Sequence, residues 1–335
     1  MPILKPEREN LPRWNLNQKP FIESYDITCL DRLNEQSFWF RFQLINPKIR
    51  AAEAMLIGMF FDSKNPQQNR FHRLSIPIEE VHLERNIFYL ALRSCALFHS
   101  GTRGELQSHG EKMTWELKIH EAQDSLNPFP FAANYLPWIS VKRNIPQHLC
   151  HVSGEVTLGE RSIHLDSLPA NQYHSWGKIE SCPSLWAGCT GFQEDPNGYF
   201  EGCSFEQRIG MKKRLLTLFK LRCDDKDYSL PAPWNWWRAK SRFDVNRWTF
   251  EATKGKIRIV GDITGQERGT IAFRSLTPQE APCFHYCSSQ SDLKIEIYEM
   301  EKAGQGKLLK TLTSKKSTFV EVTRPNPDPK IRFFV

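Results

Sequence analysis

The sequence predicts an all-β protein built from sandwiches or barrels. Three observations lead there. Short aromatic and β-branched runs recur along the whole chain, Gly, Pro, Asn or Asp separate them, and helix-period stretches are weak. The 335 residues allow two domains or one large β domain, and a sizeable core without disulfides or metals.

The first 20 residues hold prolines and charges and read as an arm. Phe38-Trp39-Phe40-Arg41-Phe42-Gln43-Leu44-Ile45 is a strand bounded by Asn46-Pro47. Met55 to Phe61 is a second, closed by Asp62-Ser63-Lys64-Asn65-Pro66. Strands are next expected over 70–78, 87–92, 112–120, 151–158 and 161–166, with Leu158-Gly159-Glu160-Arg161 as a hairpin turn. Further strands are expected over 172–178, 185–192 and 199–207. The second half continues with 215–223, 243–253, 256–263, 270–275, 283–288, 293–300, 308–312 and 318–323. Pro77 to Glu84 and Glu206 to Arg214 could each hold a helical turn. Pro325-Asn326-Pro327-Asp328-Pro329 is a stiff stretch before a short last strand of Ile331 to Val335. No repeat of fixed period is evident.

One segment breaks the rhythm. Glu121 to Leu149 carries Pro128, Pro130, Pro137 and Pro146 beside Phe129, Phe131, Tyr135 and Trp138. A long irregular loop of this kind is a lid or a core-capping loop, and the aromatic content favours packing over a free linker.

Composition narrows the function classes. Hydrophobic residues are 40% and charged residues 25%, which excludes collagen, coiled coil and a mostly disordered chain. No window approaches the ~18 apolar residues that a membrane helix needs. Lys and Arg number 45 against 38 Asp and Glu, a net +7 that permits anionic partners without demanding them. No nucleic-acid module is recognisable, and no nucleic-acid partner is expected. Nine cysteines are scattered with no CxxC pair, and no apolar signal segment follows Met1. The expected location is therefore a reducing cytoplasm.

The most informative stretch runs from Asn171 to Gln207. Asp195-Pro196-Asn197-Gly198 is strong turn chemistry that splits two strands. Residues two apart on a strand share a face, so His174 and Trp176 point one way, as do Tyr199 and Glu201. If both pairs face inward, an imidazole, an indole, a phenol and a carboxyl line one cavity. A carboxylic acid in an apolar pocket keeps its proton and can donate it, and aromatic faces stabilise the resulting cation. In the alternative, Trp176 and Tyr199 are core and Glu201 pairs with an arginine.

Here the sequence resembles the carotenoid 1,2-hydratase (hydroxyneurosporene synthase) family. Phe38-Trp39-Phe40-Arg41-Phe42 resembles its opening Phe-Trp-hydrophobic-Arg-Tyr strand, His174-Ser175-Trp176-Gly177 its His-Asn-Trp-Gly, and Tyr199-Phe200-Glu201 its Tyr-x-Asp. Tocopherol cyclases look like relatives. The resemblance implies two lipocalin-like (calycin) antiparallel β-barrels in tandem, a long hydrophobic ligand, and water addition or ring closure at an isoprenoid double bond without a cofactor. It makes Glu201 the proton donor, His174 the group that orients water or assists the proton, and Trp176 and Tyr199 the walls around the cation. Glu201 stands where the family has Asp, and Ser175 where it has Asn.

Other constellations are weaker. Cys283, His285 and Cys287 alternate on one strand face and could hold zinc, but buried thiols and a hydrogen-bonded imidazole explain them as well, and no metal is expected. Trp234-Asn235-Trp236-Trp237-Arg238 reads as a seal for a barrel end or as a loop for transient membrane-surface contact. No G-x-S-x-G elbow, P-loop or dinucleotide fingerprint appears, which argues against a serine hydrolase, a nucleotide-dependent enzyme or a Rossmann dehydrogenase. The expected organisation is an arm over 1–20, a first barrel over 21–207 carrying the loop 121–149, and a second barrel over 208–335. The expected function is a cofactor-independent enzyme that hydrates, cyclises or isomerises a hydrophobic substrate. The rival is a non-catalytic carrier of the same fold.

Overall fold

The computed structural model describes residues 5–108, 110–120, 122, 125–128, 141–178, 183–209, 211–231, 238–301 and 306–334. Two antiparallel sheets hold nearly all of the regular structure. The first is built from β1 (Phe21–Asp31), β2 (Gln36–Asn46), β3 (Glu53–Asp62), β4 (Arg70–Pro77), β5 (Val81–Glu84), β6 (Tyr89–Leu92), β7 (Cys95–Phe98), β8 (Gly101–Ser108), β9 (Glu111–His120), β10 (Val141–Leu158) and β11 (Arg161–Gly177). Its order is β4-β3-β2-β1-β11-β10-β9-β8-β7-β6-β5. Two meanders are thus joined where β1 pairs with β11, and the sheet curls until β4 lies against β8.

The second sheet holds β12 (Ser184–Thr190), β13 (Tyr199–Ile209), β14 (Lys212–Cys223), β15 (Lys226–Leu230), β16 (Lys240–Asp244), β17 (Arg247–Lys254), β18 (Ile257–Thr264), β19 (Ile271–Leu276), β20 (Pro282–Met300) and β21 (Gly306–Arg324). The order is β15-β14-β13-β12-β21-β20-β18-β17-β16, with β19 beside β20, and curling brings β16 and β17 near β14 and β15. Curling of this kind removes most of the open edge of each sheet.

Among the described residues the first compact unit takes 5–178 with Leu276–Ala281, and the second takes 183–275 and 282–334. The boundary expected near Gln207 falls inside β13. Pairing explains the shift: β12 bonds to β13 on one side and to β21 on the other, so both strands before Gln207 have their partners in the second sheet. Other expectations are corrected likewise. Val141 to Leu149 belongs to β10 and not to a loop, while 129–140 and the tryptophan cluster 234–237 lie outside the described residues. Glu206 to Arg214 spans the ends of two paired strands, not a helical turn. Ile78–Glu80 is a short 3-10 turn, as Pro77 suggested. Near the end, Phe333 makes a single bridge to Ala272 in place of a strand.

Several expected pairs of strands are single long ones. β11, β20 and β21 each join two runs, and register shifts absorb the misfit. Leu149, Ser167 and Lys316 take positive φ of 56°, 51° and 50° in these hairpins. Such bulges bend a strand around a barrel without breaking it.

Inside each barrel the alternation follows the pleat. Phe38, Phe40, Phe42, Phe60 and Trp115 belong to the first core, and Phe200, Phe219, Trp248 and Phe250 to the second. Glycines make room for these rings. Gly104 lies opposite Trp115 and Gly261 opposite Phe250 across their strand pairs. A Cβ on Gly261 would sit 2.0 Å from Phe250 Cζ. Gly261→Ala is therefore expected to destabilise the protein by about 1–3 kcal/mol through overpacking. Urea unfolding measures it, and adding Phe250→Leu should recover part of the loss.

Candidate functional site

The register of β1 against β11 builds a polar cluster inside the first barrel. Glu23 lies opposite Trp176, Tyr25 opposite His174 and Ile27 opposite Gln172. Tyr25 and Ile27 belong to the core cluster, so this face of β1 points inward, and with it Glu23, His174, Trp176 and Gln172. His174 and Glu23 are fully buried, with Nε2 and Oε1 2.7 Å apart. The imidazole stacks on Tyr25 at 4.4 Å between centroids and 13° between planes, and Trp176 lies 4.8 Å from it on another side.

The arm completes the cluster. Residues Lys5–Asn10 form a short helix, α1. The Glu9 carbonyl is 2.7 Å from His174 Nδ1, and the Arg13 backbone N–H donates to Glu23 Oε1 at 2.7 Å. Asn10 Nδ2 donates to Gln172 Oε1 at 2.7 Å, Arg13 lies over the Trp176 ring, and Trp14 packs near Phe21.

These contacts locate the protons. A carbonyl only accepts, so Nδ1 of His174 carries a hydrogen. Glu23 Oε1 already accepts from the Tyr25 hydroxyl at 2.9 Å and from Arg13, so it suits a carboxylate facing a protonated Nε2. Burial, and next the Glu23 charge beside it, hold the Tyr25 phenol well above its ordinary range. Glu23 Oε2, Asn10 Oδ1 and Gln172 Nε2 are buried and find no partner among the described residues. Unpaired buried polar atoms in one place are costly unless a ligand or water meets them.

Tyr199 and Glu201 stand in the second sheet, apart from the His174 cluster in sheet and unit. Phe200 between them belongs to the second core, so both lie on the outer face of β13. Both are nevertheless buried. The Trp186 indole N–H donates to Glu201 Oε2 at 3.2 Å. The Tyr199 hydroxyl lies 3.3 Å from Asp227, which Arg222 grips through two hydrogen bonds. That grip holds Asp227 below the usual carboxylate range, while burial, then Asp227, push the Tyr199 phenol up.

The structure thus groups His174 with Trp176, and Tyr199 with Glu201, but gives His174 a different carboxyl, Glu23. Sequence reasoning missed Glu23 and Tyr25 because β1 was not recognised as a strand. The signal available was Phe21 and the alternation of Tyr25, Ile27 and Cys29. On the outer face of the first sheet, Asp26 Oδ1 binds both Arg41 Nε at 2.6 Å and the Trp39 indole at 2.8 Å. This is a buried ion pair beneath the Phe-Trp-Phe-Arg-Phe motif.

The metal-face reading of Cys283, His285 and Cys287 is answered by hydrogen bonds. His285 Nδ1 is 2.9 Å from Glu321 and Nε2 is 2.7 Å from Ser275, so neither nitrogen is free for an ion. Among the described residues Asp195, Cys223 and Asp224 bring ligand atoms together, but Lys310 already pairs with Asp224.

No protein-family model matches the chain, and no curated protein matches it. Solved structures do. A protein from Nitrosomonas europaea described as a candidate AttH superposes with a TM-score of 0.55 at 9% identity, covering 91% of this chain and 93% of that one. Kievitone hydratase from Nectria haematococca superposes with a TM-score of 0.54 at 10% identity, covering 96% and 93%. These likenesses give the fold: tandem lipocalin-like barrels. Among the described residues no helix is long and apolar enough to cross a membrane.

The raised Tyr25 value has a measurable consequence. An unfolded tyrosine ionises near pH ~10, below the folded Tyr25, so stability falls as pH rises above ~10. A urea series at increasing pH should show this decline, and Tyr25→Phe should make it shallower.

Proposed function

We propose that the chain is an enzyme that moves a proton on a hydrophobic small molecule, with Glu23 and His174 as the pair that handles the proton. The observation that carries this reading is their 2.7 Å contact, fully buried among Tyr25, Trp176 and Phe88. An imidazole and a carboxyl held this close can pass a proton between them, and a dry aromatic site strengthens the effect. Lipocalin-like barrels hold apolar ligands, which suits a hydrophobic substrate. The fold shared with a protein named kievitone hydratase, and the resemblance of the motifs to carotenoid 1,2-hydratases, favour hydration, cyclisation or isomerisation at a double bond without a cofactor.

In the hydration case a proton leaves the Glu23–His174 pair for one alkene carbon. Trp176, uncovered when Arg13 leaves with the arm, presents its ring face to the cation that forms at the other carbon. Water adds there, and its surplus proton restores the pair. Glu23 Oε2, Asn10 and Gln172 supply polar positions for the water or for a substrate hydroxyl. The arm from Glu9 to Trp14 covers this cluster and must give way to the substrate. Glu201 with Trp186 is then a separate acid on the second sheet. None of the eight described cysteines is in a disulfide, which fits a reducing compartment such as the cytoplasm.

Ligand capture tests the reading. Wild type, Glu23→Gln and Glu201→Gln are purified from the native host, and bound lipids are extracted for mass spectrometry. Wild type should yield a converted product. Glu23→Gln should retain the precursor, with turnover lower by about 100-fold or more. The same unmodified molecule in wild type and Glu23→Gln would make the protein a carrier. Loss of conversion in Glu201→Gln alone would move the acid to the second sheet.

A further inference from the structure

A second set of reactive groups lies on the outer face of the second sheet. β19 runs beside β20, and β21 beside β20 on the other side. This places Ser275, His285 and Glu321 in a row. Ser275 Oγ is 2.7 Å from His285 Nε2, and His285 Nδ1 is 2.9 Å from Glu321 Oε1. Glu321 is buried, whereas Ser275 is only partly covered. Phe273 stacks on the imidazole at 4.6 Å and 2°, which fixes the plane of the ring.

The regiochemistry is specific. A carboxylate on Nδ1 holds a hydrogen there and leaves the Nε2 lone pair facing the serine hydroxyl. That is the assignment a nucleophile, a base and an orienting acid require. Such a constellation is recognised by geometry and not by chain order, so the missing G-x-S-x-G elbow removes one architecture and not the chemistry. Trp186 lies directly opposite Glu321 in the sheet register, so apolar rings stand beside the Glu321 end of the row and over the imidazole in its middle.

We propose that Ser275, His285 and Glu321 form a nucleophilic site for carboxylic esters with an apolar acyl part. This site belongs to the second unit and stands independently of the Glu23–His174 reading. Ser275 Oγ bonds to the ester carbonyl carbon while His285 Nε2 takes its proton. The carbon–oxygen bond to the alcohol then breaks, and the alcohol leaves with the proton from His285. Water repeats the sequence on the acyl-serine: it bonds to the carbonyl carbon, gives a proton to His285, and releases the carboxylic acid as Ser275 regains that proton. Glu321 accepts the Nδ1 hydrogen bond throughout and orients the ring.

An alkyl fluorophosphonate tests the site on the full-length protein. Ser275 Oγ attacks phosphorus, fluoride leaves, and the serine proton passes to His285. The expected result is one adduct per chain, mapped to Ser275 by peptide mass spectrometry and absent from Ser275→Ala. His285→Gln should slow labelling by about 100-fold and Glu321→Gln by about 10-fold or more. Circular dichroism melts show whether each variant is folded, and the mapping on wild type is decisive by itself. No adduct on Ser275, under conditions that label a control serine hydrolase completely, would overturn the proposal. So would equal labelling rates for wild type and a folded His285→Gln.

Discussion

The antiparallel pairing of β1 with β11 is the constraint on which the first unit depends. In the hydrogen-bonded order of the sheet, strands β2 to β4 join the rest through β1, and β5 to β10 join β1 through β11. The same pairing sets the chemistry, because Tyr25 and His174 are direct cross-strand neighbours. A slip of one residue would turn Glu23 and Tyr25 to the other face. Closure of the sheet and assembly of the polar cluster are therefore one event. The ion pair of Asp26 with Arg41, on the opposite face, ties β1 to β2 and resists such a slip.

The two barrels solve their packing problem by a common device. A large ring lies across a strand pair from a glycine, as Trp115 does over Gly104 and Phe250 over Gly261. The glycine gives up side-chain packing of its own, and the ring occupies that space and covers its backbone. This lets β-strands carry more aromatic volume inward than a regular alternation of branched residues would permit.

Much of the fold was legible in the sequence because apolar and aromatic runs bounded by turn residues mark strands such as β2 and β3, which are buried on both faces. Less legible were strands whose residues are polar and yet buried. β1 is written Phe-Ile-Glu-Ser-Tyr-Asp-Ile-Thr-Cys-Leu-Asp, and every residue in it is buried. Glu23, Ser24, Asp26 and Thr28 look like a loop unless their partners on β2 and β11 are known. The site suffered the same fate. His174 and Trp176 were visible as a pair on one strand face, but the carboxyl that meets His174 lies 151 residues away in sequence. Tyr199 and Glu201 share a face as expected, but the turn at 195–198 says nothing about which face. That depended on Phe200, whose ring takes the interior. The boundary was misplaced because β12 finds a partner in β21, at the far end of the chain.

The arm contributes backbone groups, not side chains, to the His174–Glu23 pair: the Glu9 carbonyl and the Arg13 N–H. A molecule arriving at Glu23 competes with a tethered occupant whose local concentration does not change with dilution. Its apparent affinity is the intrinsic affinity scaled by the fraction of chains with the arm displaced. Uptake would then level off at the rate of arm departure as the concentration of the molecule rises. Main-chain atoms meet the pair itself, while the side chains of Asn10, Arg13 and Trp14 hold the arm beside it, so its strength as a competitor depends on those contacts and on the length and register of the segment between α1 and β1. Insertions or deletions there would tune uptake without altering any residue that lines the barrel.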